Sequence, residues 1–252
     1  MPEGTAAGRQ TQAVATANEA LGAQDRHNII YCKIRRRICL LDYPPGMRLS
    51  EVELAGEFGT SRTPLRRVLA RLEDELLLKS VHGVGTFVTD ADITELAQIY
   101  RLRVELVQLT GILEPVRPDP EFFSQLDVLI QRSLDIQDGG DPRSFTQLDM
   151  NVFQLLLGLT GNKPLRDVME RLYYQTKRIW LKSAIAAQLD IAAEFSIFHR
   201  ELEDVKVALV TGDLQAAANI QRAHISMSFY RLLKAEKLES ARDECMKQGG
   251  RR

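Results

Sequence analysis

LSEVELAGEFGTSRTPLRRVLARLEDELLLKSVHGVGTFV, residues 49–88, reads as two short helices around a tight turn, followed by a two-stranded ribbon. Glu51 to Phe58 is the first helix, and Gly59-Thr60-Ser61 is a break of helix-turn-helix length. Thr63 before Pro64 marks a second helix start: a hydroxyl able to cap, then a proline at the first helical position. Leu65, Val68, Leu69 and Leu72 recur at helical spacing and form a core-facing stripe. At roughly 100° per residue, that stripe leaves Arg62, Thr63, Arg66 and Arg67 on the open arc. Arginines without a carboxylate in the first turns, at the positive end of the helix dipole, suit an anionic partner. Lys79–Val81 and Thr86–Val88 fit two strands about the glycine-bearing turn His82-Gly83-Val84-Gly85. The stretch is a winged helix-turn-helix with that turn at the wing tip.

Outward from it, residues 27–42 form a helix with Ile30, Ile34, Ile38 and Leu41 on one face. Its other side carries Lys33, Arg35, Arg36 and Arg37, either a solvated face or a contact to backbone phosphates. Pro44-Pro45-Gly46 stops that helix and turns the chain. Residues 1–25 lack periodicity and read as a disordered arm. The net charge of −1 alone argues against nucleic acid, but its distribution is uneven. Residues 26–90 hold 11 Lys and Arg against 8 Asp and Glu, whereas 91–252 hold 21 against 23. The basic surplus sits on the reading head, where attraction to phosphate requires it.

After Asp90-Ala91-Asp92 only helices are apparent. They run over 93–113, 121–136, 144–159, 165–187, 191–210 and 214–239, with short breaks at glycine and proline. The fold class is mainly α: a winged helix-turn-helix over 26–90, then an antiparallel bundle of six or seven helices over 91–239. Residues 240–252 read as a flexible tail. Cys32, Cys39 and Cys245 have no metal-type or redox spacing and suit a reducing compartment. No apolar run approaches the roughly 20 residues of a membrane span. No secretion signal is seen, so the expected location is cytoplasmic.

The ordered run Pro44-Pro45-Gly46, Leu49-Ser50-Glu51, Leu54-Ala55, Phe58-Gly59, Ser61-Arg62-Thr63-Pro64-Leu65-Arg66, Arg71-Leu72-Glu73 and Gly85-Thr86-Phe87-Val88 resembles the DNA-binding domain of the GntR family of bacterial transcription regulators. The expected DNA-contacting set is Ser61, Arg62, Thr63, Arg66, Arg67, His82, Gly83 and Gly85. Arg67 stands where relatives carry a glutamate, and Leu76 where a glycine begins the approach to the wing. The helical half is similar to the ligand-binding domain of the FadR branch, often called FCD. That resemblance covers about residues 93–235. It is carried by Tyr100-x-Leu102-Arg103, Leu148-Asp149, Gly161-Asn162-x-Pro164-Leu165, Ala208, Gly212-Asp213 and His224.

The resemblance implies a bundle cavity for a small metabolite. In many members it also implies a divalent metal on one aspartate and three histidines. Carried over by position, the aspartate is Asp149 and the last histidine His224, but the other two positions hold Phe153 and Leu202. Two protein ligands are too few for firm binding of a cation that takes four to six donors. No metal or other cofactor is therefore expected unless His199, one turn before Leu202, supplies the missing donor. The effector-contacting set is Arg103, Asp149, Phe153, His199, Leu202 and His224. Asp149 and His224 read equally as a buried hydrogen-bonded pair. Arg103 either neutralises a carboxylate or phosphate, or pairs with Glu105 or Asp149. Tyr173, Tyr174 and Trp180 read as packing residues.

These features give a DNA-binding regulator of repressor type. It would bind an inverted-repeat operator in double-stranded DNA as a homodimer, controlled by a small effector with a carboxylate and an apolar part. One alternative is a DNA-binding protein with a ligand-free dimerisation bundle. A helical-bundle metalloenzyme is remote, since paired Glu-x-x-His motifs are absent. The expectation is that the protein is not an enzyme.

Overall fold

The computed structural model describes residues 22–90, 92–137, 139–186 and 189–249, so most of the expected 1–25 arm lies outside the described residues. The chain divides into two compact units, residues 1–90 and 91–252.

Unit 1 runs α1 (Ala23–Cys39), β1 (Arg48–Leu49), α2 (Glu51–Glu57), α3 (Arg62–Asp74), β2 (Leu78–Val81) and β3 (Gly85–Val88). Leu65, Val68, Leu69 and Leu72 are buried, as the stripe predicts, beneath Ile30, Ile34 and Ile38 of α1 in the same core. The start of α3 differs from expectation. Ser61 is the N-cap and Arg62 the first helical residue, which places Pro64 within the first turn rather than at its first position. A proline fits there because the first four helical N–H groups lack intrahelical partners anyway.

The ribbon also gains a third strand. The sheet order is β1-β3-β2, all antiparallel, with Arg48 opposite Phe87 and Leu49 opposite Thr86. The Arg48 side chain lies across Gly85, where an added Cβ would fall 2.7 Å from its Nε. The basic side of α1 is less free than its charge suggests. Arg35 is buried and donates to the Tyr31 hydroxyl at 2.7 Å, and Arg37 binds Glu57 of α2.

Helix α3 ends in a backbone clasp. Leu76 N–H donates to Glu73 O (2.8 Å) and Leu77 N–H to Leu72 O (3.0 Å), which puts Leu76 at φ 61°. This is the helix-terminating arrangement that favours glycine. The conformation is kept here by a leucine, where the family resemblance implies a glycine. Leu41 closes α1 in the same way, at φ 59°. A left-handed conformation costs an L-residue roughly 1–2 kcal/mol, and Leu76 is largely exposed, so little burial offsets it.

Unit 2 comprises α4 (Ile93–Val107), a 3-10 turn (Gln108–Gly111), α5 (Pro120–Gln137), α6 (Pro142–Leu157), α7 (Lys163–Ile185), α8 (Ile191–Val210) and α9 (Leu214–Gly249). Side-chain caps start five of these helices, among them α5, where Asp119 accepts from Phe122 N–H (2.8 Å), and α9, where Asp213 accepts from Ala216 N–H (2.8 Å). Asp141 accepts from Ser144 N–H (3.0 Å), Asn162 from Leu165 N–H (3.0 Å) and Asp190 from Ala193 N–H (3.1 Å). Helix α4 stops short of its expected end at 113. At Gly111 the chain comes so close to the start of α9 that a Cβ would sit 2.8 Å from the Gln215 Cα. Helix α9 continues through 240–249, where a flexible tail was expected; residues 250–252 lie outside the described ones.

The helices pack as a ring in the order α4, α7, α6, α5, α8, α9 and back to α4. Phe145, Trp180, Phe195 and Phe198 interlock on one side, with ring centroids 4.5–4.9 Å from Phe145. The nine α-helices and small antiparallel sheet among the described residues give the mainly α architecture that the sequence predicts.

Leu76→Gly should stabilise unit 1 by about 1 kcal/mol, because glycine removes the left-handed strain. Thermal denaturation of the full chain would show this as a rise of several degrees in the transition that reports on unit 1. An unchanged or lower midpoint would mean that leucine carries no strain there.

Candidate functional site

Two places in the molecule gather chemistry, one in each unit. In unit 1, α3 turns Ser61, Arg62, Thr63, Arg66 and Arg67 to solvent opposite its buried stripe. Among the described residues no carboxylate pairs with Arg62 or Arg67. Arg66 is held by the first helix of the motif, its Nε donating to Glu51 Oε2 at 2.8 Å. That contact uses one edge of the guanidinium and leaves the paired Nη groups for another acceptor.

The wing is tied to α3 by Glu73, which accepts from Ser80 N–H and from the Ser80 hydroxyl, both at 2.7 Å. His82, Gly83 and Val84 form the exposed tip, closed by Val84 N–H donating to Val81 O at 3.0 Å. A projecting helix with free cations beside a tethered hairpin is the geometry that reads one groove and touches the next.

In unit 2 the helical ring encloses a cavity of about 110 Å³, lined from α4, α6, α7, α8 and α9. Arg103, Asp149, Phe153, Leu202 and His224, all expected at an effector site, meet in its wall. His199 does not. It faces α5, with Nδ1 2.8 Å from the Ser133 hydroxyl. On a helix a residue three positions away is rotated by about 60° relative to its neighbour's face, enough to take His199 out of the cavity wall.

The polar groups of the wall are paired, though not as the sequence suggests. Asp149 pairs with Lys177 and accepts from the Tyr173 hydroxyl at 2.6 Å, not from Arg103 or His224. His224 Nδ1 meets Glu201, and Arg231 meets Glu194. Arg103 donates to the Thr176 hydroxyl at 2.6 Å and lies 5.2 Å from the centroids of both Tyr100 and Tyr173. No carboxylate among the described residues pairs with Arg103. Tyr173 therefore does more than pack: it donates to Asp149 and stacks on Phe153, with ring centroids 3.7 Å apart.

Burial pushes the Asp149 carboxyl up, but Lys177, Tyr173 and a smaller pull from His224 more than offset this. It ionises below its ordinary 3.8. Burial likewise pushes the Tyr173 phenol far above its usual range, and the Asp149 charge adds to that, so Tyr173 remains a donor.

These residues do not fit a divalent metal. Asp149 is engaged by the Lys177 ammonium, Phe153 and Leu202 offer no lone pair, and His224 is turned to Glu201. Among the described residues no three His, Cys, Asp or Glu side chains gather as a metal site. Lys177, Glu201 and Glu194 were missed in the sequence because no short-range pattern marks them. The available signal was a lysine amid the aromatic residues of α7.

A winged helix-turn-helix joined to a cavity-bearing helical ring defines a class: a DNA-binding transcription regulator with an effector-binding domain. Residues 27–88 match the bacterial regulatory proteins of the gntR family and residues 89–227 match the FCD domain. An HTH-type transcriptional regulator from an unstable DNA locus of Streptomyces ambofaciens is 30% identical over 209 residues, covering 79% of this chain and 82% of that protein. The Nta operon transcriptional regulator of Aminobacter aminovorans is 29% identical over 180 residues, covering 69% and 83%. Among solved structures, Escherichia coli McbR/YncC shares the fold, with a TM-score of 0.69 at 19% identity over 83% of this chain and 97% of that one. The chain belongs to the GntR family, with the helix-turn-helix and FCD architecture of its FadR subfamily. None of its described helices is long and apolar enough to cross a membrane.

Replacing Lys177 by Met leaves the Asp149 charge buried without a partner and should cost roughly 3–5 kcal/mol of stability. Pairing it with Asp149→Asn should recover most of that loss. The Asp149 contribution is present in full above about pH 4 and is lost as pH falls through the lowered carboxyl pKa of the folded state. Denaturant melts of the two single variants and the double variant test this. Additive losses in the double variant would show that the two side chains do not act as a pair.

Proposed function

We propose that this regulator reads its operator through Arg62 and Arg66 at base edges and through Arg67 and His82 at phosphates. We also propose that a compact monoanion in the helical cavity controls that binding. Ser61, Thr63, Gly83 and Gly85 shape the two contacting segments. One observation carries the effector reading: Arg103 is the single cation of the cavity wall without a carboxylate among the described residues. Asp149 with Lys177, Glu194 with Arg231, and Glu201 with His224 already face one another. A guanidinium binds a ligand carboxylate through two parallel hydrogen bonds. The cavity is smaller than the ~150 Å³ apolar cavity that holds benzene, which favours a short effector over the extended one expected from the sequence. Binding as a two-fold dimer to an inverted repeat completes the reading, since two winged heads then meet half-sites about one helical turn apart or a multiple of that.

DNA selected by the protein from a random pool supplies a working operator for the test. Arg66→Ala should lower the ratio of operator to random-DNA affinity by roughly ten- to hundred-fold, the value of one bidentate base contact at about 1–3 kcal/mol. Arg67→Ala should weaken both affinities alike and flatten their salt dependence. An unchanged ratio for Arg66→Ala at fixed salt would overturn the assignment.

For the cavity, pentanoate should raise the melting temperature of the full chain, and Arg103→Gln should abolish that rise. A shift that survives Arg103→Gln would place the anion elsewhere.

A further inference from the structure

The wing sheet has two faces, and the register assigns its side chains to them. Ser80 bonds to Glu73 of α3, so the face it shares with Thr86 and the buried Leu49 looks toward α3 and the core. Side chains alternate along a strand, and residues directly opposite one another lie on the same face. Lys79, Phe87 and Arg48 therefore form a row across the three strands on the outer face. Val81 and Gly85 make the next row, toward the tip.

Arg48 does not stand off this face. Its side chain runs from its own row into the next and fills the space that a side chain at Gly85 would need. A Cβ there would fall 2.7 Å from the Arg48 Nε and 3.4 Å from both Cζ and Nη2. The guanidinium is thus held against the first residue of β3, beside the turn that exposes His82, Gly83 and Val84. Arg48 and Lys79 are both exposed, and neither meets a carboxylate among the described residues. Glu73, the acid that ties the wing to α3, is engaged by Ser80 on the opposite face.

We propose that Arg48 and Lys79 form a phosphate clasp on the outer face of the wing, gripping the DNA backbone beside the groove that the tip touches. This rests on the reading of α3 and the wing tip as the DNA-contacting surface. Phosphates line both edges of a groove, so cations on the flank of a hairpin whose tip lies there meet backbone rather than bases. A guanidinium takes a phosphate through two N–H groups, and one already laid on a strand loses less freedom in doing so. Gly85, expected from the sequence to contact DNA, acts here through Arg48 by leaving it room. Because phosphate contacts carry no sequence information, the clasp adds affinity and fixes the wing without choosing the operator.

The full chain is titrated with a random-sequence duplex over a series of salt concentrations. The parent is compared with Arg48→Gln, Arg48→Lys, Lys79→Gln and Arg67→Ala. The logarithm of affinity falls with the logarithm of salt with a slope of about 0.9 for each phosphate neutralised. Each Arg48 in contact should take about that much off the slope when replaced by Gln, so the affinity lost between 50 and 200 mM salt shrinks roughly 3.5-fold. Lys79→Gln should flatten the slope by a similar step, and Arg48→Lys, which keeps the charge, should retain most of it. The ratio of operator to random-DNA affinity should stay at the parent value in Arg48→Gln, unlike in Arg66→Ala.

An unchanged slope in Arg48→Gln or Lys79→Gln, with Arg67→Ala flattening it, would overturn the clasp and leave the reading head standing. Equal flattening by Arg48→Gln and Arg48→Lys would also overturn it, because the charge would then not be what the DNA feels. If Arg67→Ala and Arg48→Gln both leave the slope unaltered, the DNA-facing assignment of the head falls, and the clasp with it.

Discussion

A carboxylate inside a helical bundle stays ionised only if a cation is fixed beside it, and for Asp149 that cation is Lys177. The two residues lie on α6 and α7, neighbours in the ring, and Tyr173 adds a hydrogen bond from α7 one turn earlier. Removing either charge would strand the other in low dielectric at a cost of several kcal/mol. The pair therefore fixes the register of two helices and the chemical character of the space between them. Beyond that pair, His224 meets Glu201, Arg231 meets Glu194, and Arg103 faces no carboxylate among the described residues. In the proposed reading, the Arg103 guanidinium is the group left to choose the ligand.

The same economy of contacts holds the reading head together. Glu51 steadies Arg66, Glu73 holds the wing by Ser80, and Glu75 accepts from Tyr31 across α1 and α3. Each of these acids sits on one motif element and reaches a different one. Surface pairs of this sort contribute little stability one at a time. Their use is positional: they set the angles at which helix and wing project from the core.

How much of this could be read from the chain depended on the range over which each signal acts. The α3 stripe was legible because Leu65, Val68, Leu69 and Leu72 repeat at the helical period and have no competing pattern. Strand β1 was not, since two residues cannot show an alternation, and it exists only because Phe87 and Thr86 pair with it. The start of α3 was misplaced by one plausible cap, Thr63, when Ser61 two residues earlier precedes the helix.

In the cavity, resemblance located Asp149, Phe153, Leu202 and His224 in one wall, because those positions are fixed by the helical framework. It could not locate their partners. Lys177 is 28 residues from Asp149 and Glu201 is 23 from His224, separations at which no local rule links two side chains. His199 shows the converse error: close in sequence to the cavity residue Leu202, it belongs to the face that meets α5.

Lys177 has a consequence that reaches past the fold. A cation bound from solution is present only while the cell can supply it, and it is withdrawn by chelators or by starvation. An ammonium carried on α7 is made with the chain, in equal number to it, and cannot be withdrawn. The charge beside Asp149 is therefore the same in a cell rich in metal and in one deprived of it, and it is replaced only by mutation, never by exchange.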